Sequence, residues 1–333
     1  MILILSQSKV ELTTEDVINW IQYYNGKVTR INGDDLLEKK LLLKINNSQE
    51  SFKNLTKDKI NIAWFRRYKS EELNPPNINI SKYNFSAFKN HLNSEFRKAY
   101  DYYVEKLTEN AKIISSLEIE KKLNKIIVLE KAKKVGLKIP NSIITNNKSE
   151  ITNFVKLNKD CIIKPLSECI YFFEKNYSYD MLTERIRKKN LEKIPDIFIP
   201  SLIQENILKM YEIRSFYFLG EIYSMAIFSQ NDKKTKTDFR NYNNLKPNRT
   251  VPYKLPNTEI RKLKKLMSLL KLDTGSIDLI RDKNGNYIFL EVNPNGQLGM
   301  VSEPCNYYLE EKIALKLMEL DKKQNELKNK KRE

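Results

Sequence analysis

Apolar residues fill positions 1–5 without a polar break, which predicts a strand buried on both faces. Over 14–24, Val17, Trp20, Ile21 and Tyr24 recur at helical spacing, and Asn25-Gly26 ends that helix before a second strand at 27–32. This β-α-β opening predicts a small parallel α/β unit, and it carries no G-x-G-x-x-G dinucleotide signature. A strand is expected over 60–65, then Arg66-Arg67, which could contact a peptide or simply end an exposed strand. A loop follows over 74–81 around Pro75-Pro76, and then a helical stretch over 85–117 interrupted at most once.

Asn124-Lys125 opens a helix that stops at Gly136, and 137–140 leads into a strand at 143–145. Short apolar strands are expected over 161–164, ending in Lys164-Pro165, and over 198–205, running into Gln204-Glu205-Asn206-Ile207. The stretches 212–219 and 222–229 flank Gly220-Glu221, which suits a type II′ hairpin, and Glu212 and Arg214 share one face of its first strand. A basic loop, expected to be mobile, covers 233–240. Asn257 is placed to cap a helix to 270 with a core stripe of Ile260, Leu263, Met267 and Leu270. The last helix, 309–320, packs through Leu309, Ile313 and Leu317, and a lysine-rich tail is expected to fray beyond it.

The most informative stretch is 276–299, where two runs rich in β-branched and aromatic residues flank Asn284-Gly285, a strong hairpin signal. With those two residues as the loop, pairing runs outward from Lys283 opposite Asn286, and Asp278 faces Glu291. Asn293 lies on the same face as Glu291, because side chains alternate along a strand. Cross-strand neighbours sit about 5 Å apart, so two carboxylates there repel unless a cation lies between them. An oxygen-only donor set suits Mg²⁺ better than zinc or copper. The plainer alternative is a surface hairpin whose acids face solvent or pair with lysines.

Composition narrows the chemistry. At 333 residues the chain can bury a sizeable core in two or three subdomains, and 41% hydrophobic content with 10% aromatics is globular. Residues 1–5 are too short for a signal peptide and no apolar run reaches membrane-spanning length, so a soluble, cytoplasmic protein is expected. Cys161, Cys169 and Cys305 show no C-x-x-C spacing, and His91 is the only histidine, which argues against zinc, disulfides and Ser-His or Cys-His catalysis. Lys+Arg outnumber Asp+Glu by 59 to 42, a net charge of +17. Nucleic acid, an anionic membrane or an acidic peptide would each suit that surface, as would ordinary solubilising lysines.

In chain order, the informative residues are Lys125, Lys164, Gln204-Glu205, Glu212-x-Arg214, Asp278 and Glu291-x-Asn293-Pro294. Chemically they form a nucleotide kit without a P-loop. Two lysines could neutralise phosphates, a strand-to-linker hinge could meet adenine, Glu212 could accept from ribose hydroxyls, and the late carboxylates could hold Mg²⁺. That order resembles the ATP-grasp ligases over about 124–320. The run Phe289-Leu290-Glu291-Val292-Asn293-Pro294-Asn295-Gly296 and its continuation to 310 resemble the peptide-maturing branch. This branch comprises the microviridin-type (graspetide) macrocyclases and, most closely, the grasp-with-spasm maturases. Ile62-Ala63-Trp64-Phe65-Arg66-Arg67 is similar to the N-terminal domain of that branch.

The resemblance implies an α/β (α+β) ATP-grasp fold. An N-terminal pre-ATP-grasp α/β domain would cover 1–120, a central lid domain 121–205, a C-terminal ATP-grasp domain 206–322 and a basic tail 323–333. It implies ATP and Mg²⁺ as cofactors: Lys125 and Lys164 on the phosphates, Gln204, Glu205, Asn206 and Ile207 at the adenine hinge, and Glu212 on the ribose. Asp278, Glu291 and Asn293 would hold Mg²⁺, while Arg214 and Arg240 would steady the γ-phosphate and an acyl phosphate. One departure is Leu166-Ser167-Glu168-Cys169 after Lys164-Pro165, where many relatives place a glycine-rich loop; the chain has only 8 Gly. The implied activity is ATP-dependent ring closure in an acidic ribosomal precursor peptide, joining Asp or Glu side chains to Thr or Ser hydroxyls or Lys amines. No nucleic acid or membrane partner is implied, and a homodimer is left open. The rivals are a ligase that adds a free amino acid to a carboxylate and a non-catalytic basic scaffold for RNA or acidic peptide.

Overall fold

The computed structural model describes residues 1–8, 11–33, 35, 43–45, 50–52, 58–68, 82–167, 171–174, 177–180, 183–241, 243 and 245–330. They divide into two compact units, Met1–Glu118 with Tyr308–Glu333, and Ile119–Tyr307. The expected loop at 74–81 lies outside the described residues.

The first unit is built on a parallel sheet. Strand β1 (Ile2–Ser6) leads through helix α1 (Leu12–Tyr23) to β2 (Val28–Asn32), and β3 (Leu43–Ile45) and β4 (Glu50–Phe52) pair as a separate hairpin. Strand β5 (Ile62–Phe65) and helix α2 (Lys82–Thr108) precede β6 (Lys112–Ile114), giving the order β2-β1-β5-β6. Every residue of β1 is buried, as expected of a strand covered on both faces. Leu3, Leu5, Ala63 and Phe65 pack against Tyr100, Tyr103 and Leu107 of α2. The helical stretch expected to reach 117 thus ends at Thr108, because Lys112–Ile114 adds an edge strand beside β5. A short helix, α3 (Leu117–Lys122), follows.

The chain's closing helix, Leu309–Lys330, also belongs to this unit, where it packs on α1, β1 and β5. Its buried stripe is Leu309, Ile313, Ala314, Leu317 and Leu320. The frayed tail expected beyond 320 is corrected. The side-chain amide of Asn61 donates to Asp321 and Asn325, both at 2.8 Å, and Lys328 donates to the Asn110 carbonyl at 2.9 Å. Polar anchoring of this kind leaves no mark in an apolar pattern.

The second unit starts with α4 (Lys125–Lys134), capped by the Asn124 side chain, which accepts from the Ile127 N–H at 2.9 Å. Gly136, at φ +81°, closes it in the left-handed conformation a helix end favours. Strand β7 (Ser142–Asn147), helix α5 (Lys148–Asn158), β8 (Cys161–Lys164), the hairpin β9 (Tyr171–Glu174) and β10 (Tyr177–Asp180), β11 (Glu184–Arg185), α6 (Lys188–Lys193) and β12 (Ile197–Glu205) follow. Four of these strands form an antiparallel sheet in the order β11-β8-β12-β7, covered by Ile151 and Phe154 of α5.

Strands β13 (Lys209–Phe218), β14 (Glu221–Phe228) and β15 (Arg249–Tyr253), helix α7 (Asn257–Leu270), β16 (Thr274–Asp282) and β17 (Tyr287–Asn293) build a five-stranded antiparallel sheet ordered β15-β14-β13-β16-β17. One face, with Ile213, Ile277, Leu279 and Phe289, packs on Val128 and Ala132 of α4 and Leu263 and Met267 of α7. Helix α8 (Gly299–Cys305) ends the unit before the closing helix, α9. Asn257 is the first helical residue after Pro256 rather than a side-chain cap. The loop over 233–240, expected to be mobile, is tied in by buried Thr235, Asp238 and Phe239.

Two turns differ from expectation. The β13–β14 loop is Leu219-Gly220, with Phe218 opposite Glu221, and both residues have positive φ (45° and 99°). That is the signature of type I′, not type II′. The β16–β17 loop has three residues, 283–285, with the Asp282 N–H donating to the Asn286 carbonyl. Register near the turn is therefore one residue off the two-residue expectation. A β-bulge at Leu290 restores it, so Asp278 still faces Glu291.

Candidate active site

The sheet face opposite α4 and α7 meets the ends of β8 and β12 around a solvent-open cleft. Alternation puts Glu212 and Arg214 of β13, and Asp278 and Ile280 of β16, on this face, since Ile213 and Leu279 point into the core. Lys164 enters from the end of β8, Gln204 to Ile207 from the end of β12, and Asp238 and Arg240 from the 233–240 loop. Lys125, at the first turn of α4, completes the set with its ammonium 3.8 Å from Glu291 Oε2.

At the end of the cleft nearest Lys164, charges of both signs interleave. Arg240 lies 3.9 Å from Glu291 and grips Asp238 with two nitrogens, the nearer contact at 2.7 Å. Arg214 lies 3.9 Å from Asp278 Oδ1, with its guanidinium 5.8 Å over the Phe239 ring. Burial would raise the Glu291 pKa, but Lys164, Lys125 and Arg240 outweigh it and hold the group below the usual carboxylate range. Asp278 moves the other way: burial pushes it up, with Arg214 opposing and Glu291 adding repulsion. Asp238 resists burial through the Arg240 hydrogen bonds and is brought down to about 2. Burial lowers Lys164, against the pull of Glu291 and Asp238.

Among the described residues no three His, Cys, Asp or Glu side chains form a metal-holding group on their own. The residues nevertheless fit a hard cation. Asp278 Oδ1 is buried without a hydrogen-bond partner, and Glu291 faces it across the strands. An ion of the Mg²⁺ type, which keeps water or phosphate oxygens among its ligands, needs only one or two such carboxylates. Asn293 sits two residues beyond Glu291, exposed, with its Oδ1 accepting from the Asn295 N–H at 2.9 Å.

At the opposite end, Gln204 is buried and donates to Ser142 Oγ at 2.9 Å. Glu205 accepts from the Asn141 backbone and side chain at 3.1 and 3.0 Å, and the Asn206 side chain donates to Asp160 at 2.8 Å. These side chains pin the end of β12, together with the Glu205 and Asn206 N–H groups, which donate to the Asn141 and Asp160 carbonyls at 3.0 and 2.9 Å. Lys125 donates to the carbonyls of Pro165 (2.8 Å) and Ser167 (3.1 Å), closing the start of the glycine-poor loop over itself. Glu168 and Cys169 of that loop lie outside the described residues.

Two charged residues of the cleft, Asp238 and Lys209, escaped the sequence reading. Lys209 lines it, donating to Glu212 Oε1 at 2.5 Å and to the Thr237 carbonyl at 3.0 Å. Ser229 donates to the other oxygen of Glu212. Strict alternation would put 209 and 212 on opposite faces. A bulge at Met210 reverses that and brings them together.

No protein-family profile and no curated protein sequence matches the chain. Solved structures do. A Chryseobacterium gregarium RiPP-associated ATP-grasp ligase, in complex with ADP and a leader and core peptide, is similar at 23% identity and TM-score 0.80, over 96% of this chain and 95% of that one. The macrocyclase MdnC of Microcystis aeruginosa MRC, bound with precursor peptide MdnA, is similar at 23% identity and TM-score 0.77, over 96% and 99%. The ATP-grasp ligase PsnB, complexed with minimal precursor, Mg and ADP, is similar at 14% identity and TM-score 0.72, over 96% and 98%. The chain has the ATP-grasp fold along nearly its whole length. No helix among the described residues is long and apolar enough to cross a membrane.

Proposed function

We propose, from the ATP-grasp fold and this cleft, that the protein is an ADP-forming carboxylate ligase that closes rings in a ribosomally made, acidic precursor peptide. The observation that carries the proposal is the buried Asp278 oxygen, without a hydrogen bond and facing Glu291, with Lys125, Lys164, Arg240 and Arg214 around the pair. A site with both carboxylates and cations, lining an open cleft, suits a polyphosphate carried with its metal.

A core Asp or Glu carboxylate would attack the γ-phosphorus of ATP, releasing ADP and leaving an acyl phosphate. A Thr or Ser hydroxyl or a Lys amine of the same peptide would then attack the acyl carbon and expel phosphate. Lys125 and Lys164 would neutralise phosphate oxygens, the 204–207 segment would face adenine, and Glu212 would accept from the ribose. Arg214 and Arg240 would hold the transferring phosphoryl group, so catalysis rests on positioning and charge rather than on a covalent nucleophile. Asp278, Glu291 and the Asn293 amide oxygen would hold Mg²⁺, whose contribution when bound is to neutralise the polyphosphate. The structural neighbours named with ADP and with leader, core or precursor peptides support this reading. The excess of lysine and arginine supports an acidic peptide partner.

The test is a mass measurement. The cognate peptide with enzyme, ATP and Mg²⁺ should lose a whole number of waters, one per ADP formed. Mild base should restore the mass of esters and leave amides unchanged. A mass gain would indicate addition of a free amino acid, and ADP formation with an unaltered peptide would reject ring closure.

A further inference from the structure

A carboxylate offered to a sugar must keep both its charge and its direction, and Glu212 is poorly placed to do either alone. It is 4% exposed, and burial pushes its pKa up. Two donors fix it: Lys209 on Oε1 and Ser229 on Oε2. Each carboxylate oxygen has two acceptor positions, so one on each oxygen is left for a ligand in the cleft. The Lys209 ammonium, itself 8% exposed, has a second acceptor in the Thr237 carbonyl. Thr237 directly precedes Asp238, and Asp238 orients Arg240. One ammonium therefore bonds both to the acceptor on the strand and to the backbone of the loop that carries the arginine.

On the nucleotide reading given above, we propose that Lys209 is a positioning residue for sugar recognition: it holds Glu212 as the acceptor of a ribose 2′-hydroxyl and ties that acceptor to the Asp238–Arg240 loop. The bulge at Met210 is what lets it do so, by turning Lys209 onto the face of Glu212. Ser229 contributes direction without charge.

The experiment measures binding of ATP and 2′-deoxy-ATP, each with Mg²⁺, to the full chain by calorimetry, so it needs no peptide. The intact protein should prefer ATP by roughly ten- to hundredfold, the worth of a hydrogen bond to a charged acceptor. Lys209→Met should bring the two affinities within about threefold by weakening ATP while leaving 2′-deoxy-ATP nearly unchanged. Lys209→Arg, which keeps charge and two donors, should retain most of the preference, and Ser229→Ala should lose part of it. Near-ultraviolet circular dichroism reports whether Lys209→Met folds, and if it does not, the Arg and Ser variants carry the comparison. A folded Lys209→Met that discriminates like the intact protein, or a Lys209→Arg that discriminates no better than Lys209→Met, overturns the proposal. So does an equal preference in Ser229→Ala and the intact protein when Lys209→Met is unfolded. Failure of the intact protein to bind ATP at all instead rejects the nucleotide reading on which the proposal stands.

Discussion

Replacing Glu291 by Gln keeps its volume and removes one charge from the place where charges are densest. The carboxylate lies 3.8 Å from the Lys125 ammonium and 3.9 Å from the Arg240 guanidinium. Each such pair is worth about 4 kcal/mol in gross Coulomb energy at an effective dielectric constant of ~20. Solvent and desolvation offset much of this, and the amide also relieves the repulsion Glu291 exerts on Asp278. Folding stability should therefore change by only about 1 kcal/mol, because attraction and repulsion are lost together. Turnover has no such compensation, since the change removes an anionic ligand that would hold Mg²⁺ on the polyphosphate. ADP formation should fall at least about a hundredfold, or roughly 2.7 kcal/mol of transition-state stabilisation. The assay is ADP release at saturating Mg²⁺, with a denaturant titration to show that the fold is kept. Full turnover in a folded Glu291→Gln protein would remove the β16–β17 hairpin from the active site.

Ala at Arg214 or Arg240 should abolish peptide product while nucleotide affinity stays within about tenfold, roughly 1.4 kcal/mol; loss of ATP binding at both positions would mean that they serve the ground state. Peptide binding should weaken as salt rises to physiological strength, where the Debye length is about 8 Å, and ATP binding should respond less; a salt-independent peptide affinity would assign docking to apolar contacts. Asn124→Ala removes the cap of the helix that begins at Lys125 and should cost about 1 kcal/mol in a denaturant midpoint; no change would show that the cap is replaced by solvent. Asp238, held down to about 2, should contribute stability at neutral pH that is lost as pH falls from its unfolded value near 3.9 through 2. The gap between the intact protein and Asp238→Asn should therefore shrink over that window, by about 2 kcal/mol, and a pH-independent gap would count against the Arg240 clamp.

The elements that a single period specifies were readable from the sequence. The uninterrupted apolar run at 1–5, the stripe on α7 and the Asn124 cap all rest on residues within a turn or two of each other. Facing of Asp278 and Glu291 was readable for a less secure reason: a three-residue loop and the Leu290 bulge each move the register by one, and the two shifts cancel. Lys209 was hidden because the bulge at Met210 carries no composition signal and inverts the alternation on which face assignment depends. Strand β6 was missed because three residues after a long helix are too few to show a period, and their order comes from pairing with β5. The extension of α9 to Lys330 rests on amide and lysine bonds to Asn61 and Asn110, which lie more than two hundred residues away in sequence.

The discontinuity of the first unit has a consequence for synthesis. Its parallel sheet is made early, but one of the helices packed against it, α9, is translated only after all of Ile119–Tyr307. During elongation β1 and β5 wait without the buried stripe of Ile313, Ala314 and Leu317, while the second unit draws its whole core from contiguous chain. Domains fold as units when their residues are present, so the order of completion on the ribosome should run opposite to the order of translation. A stalled chain ending before 309 should contain a protease-resistant second unit attached to a protease-sensitive first one, and the first should become resistant only when α9 has cleared the exit tunnel.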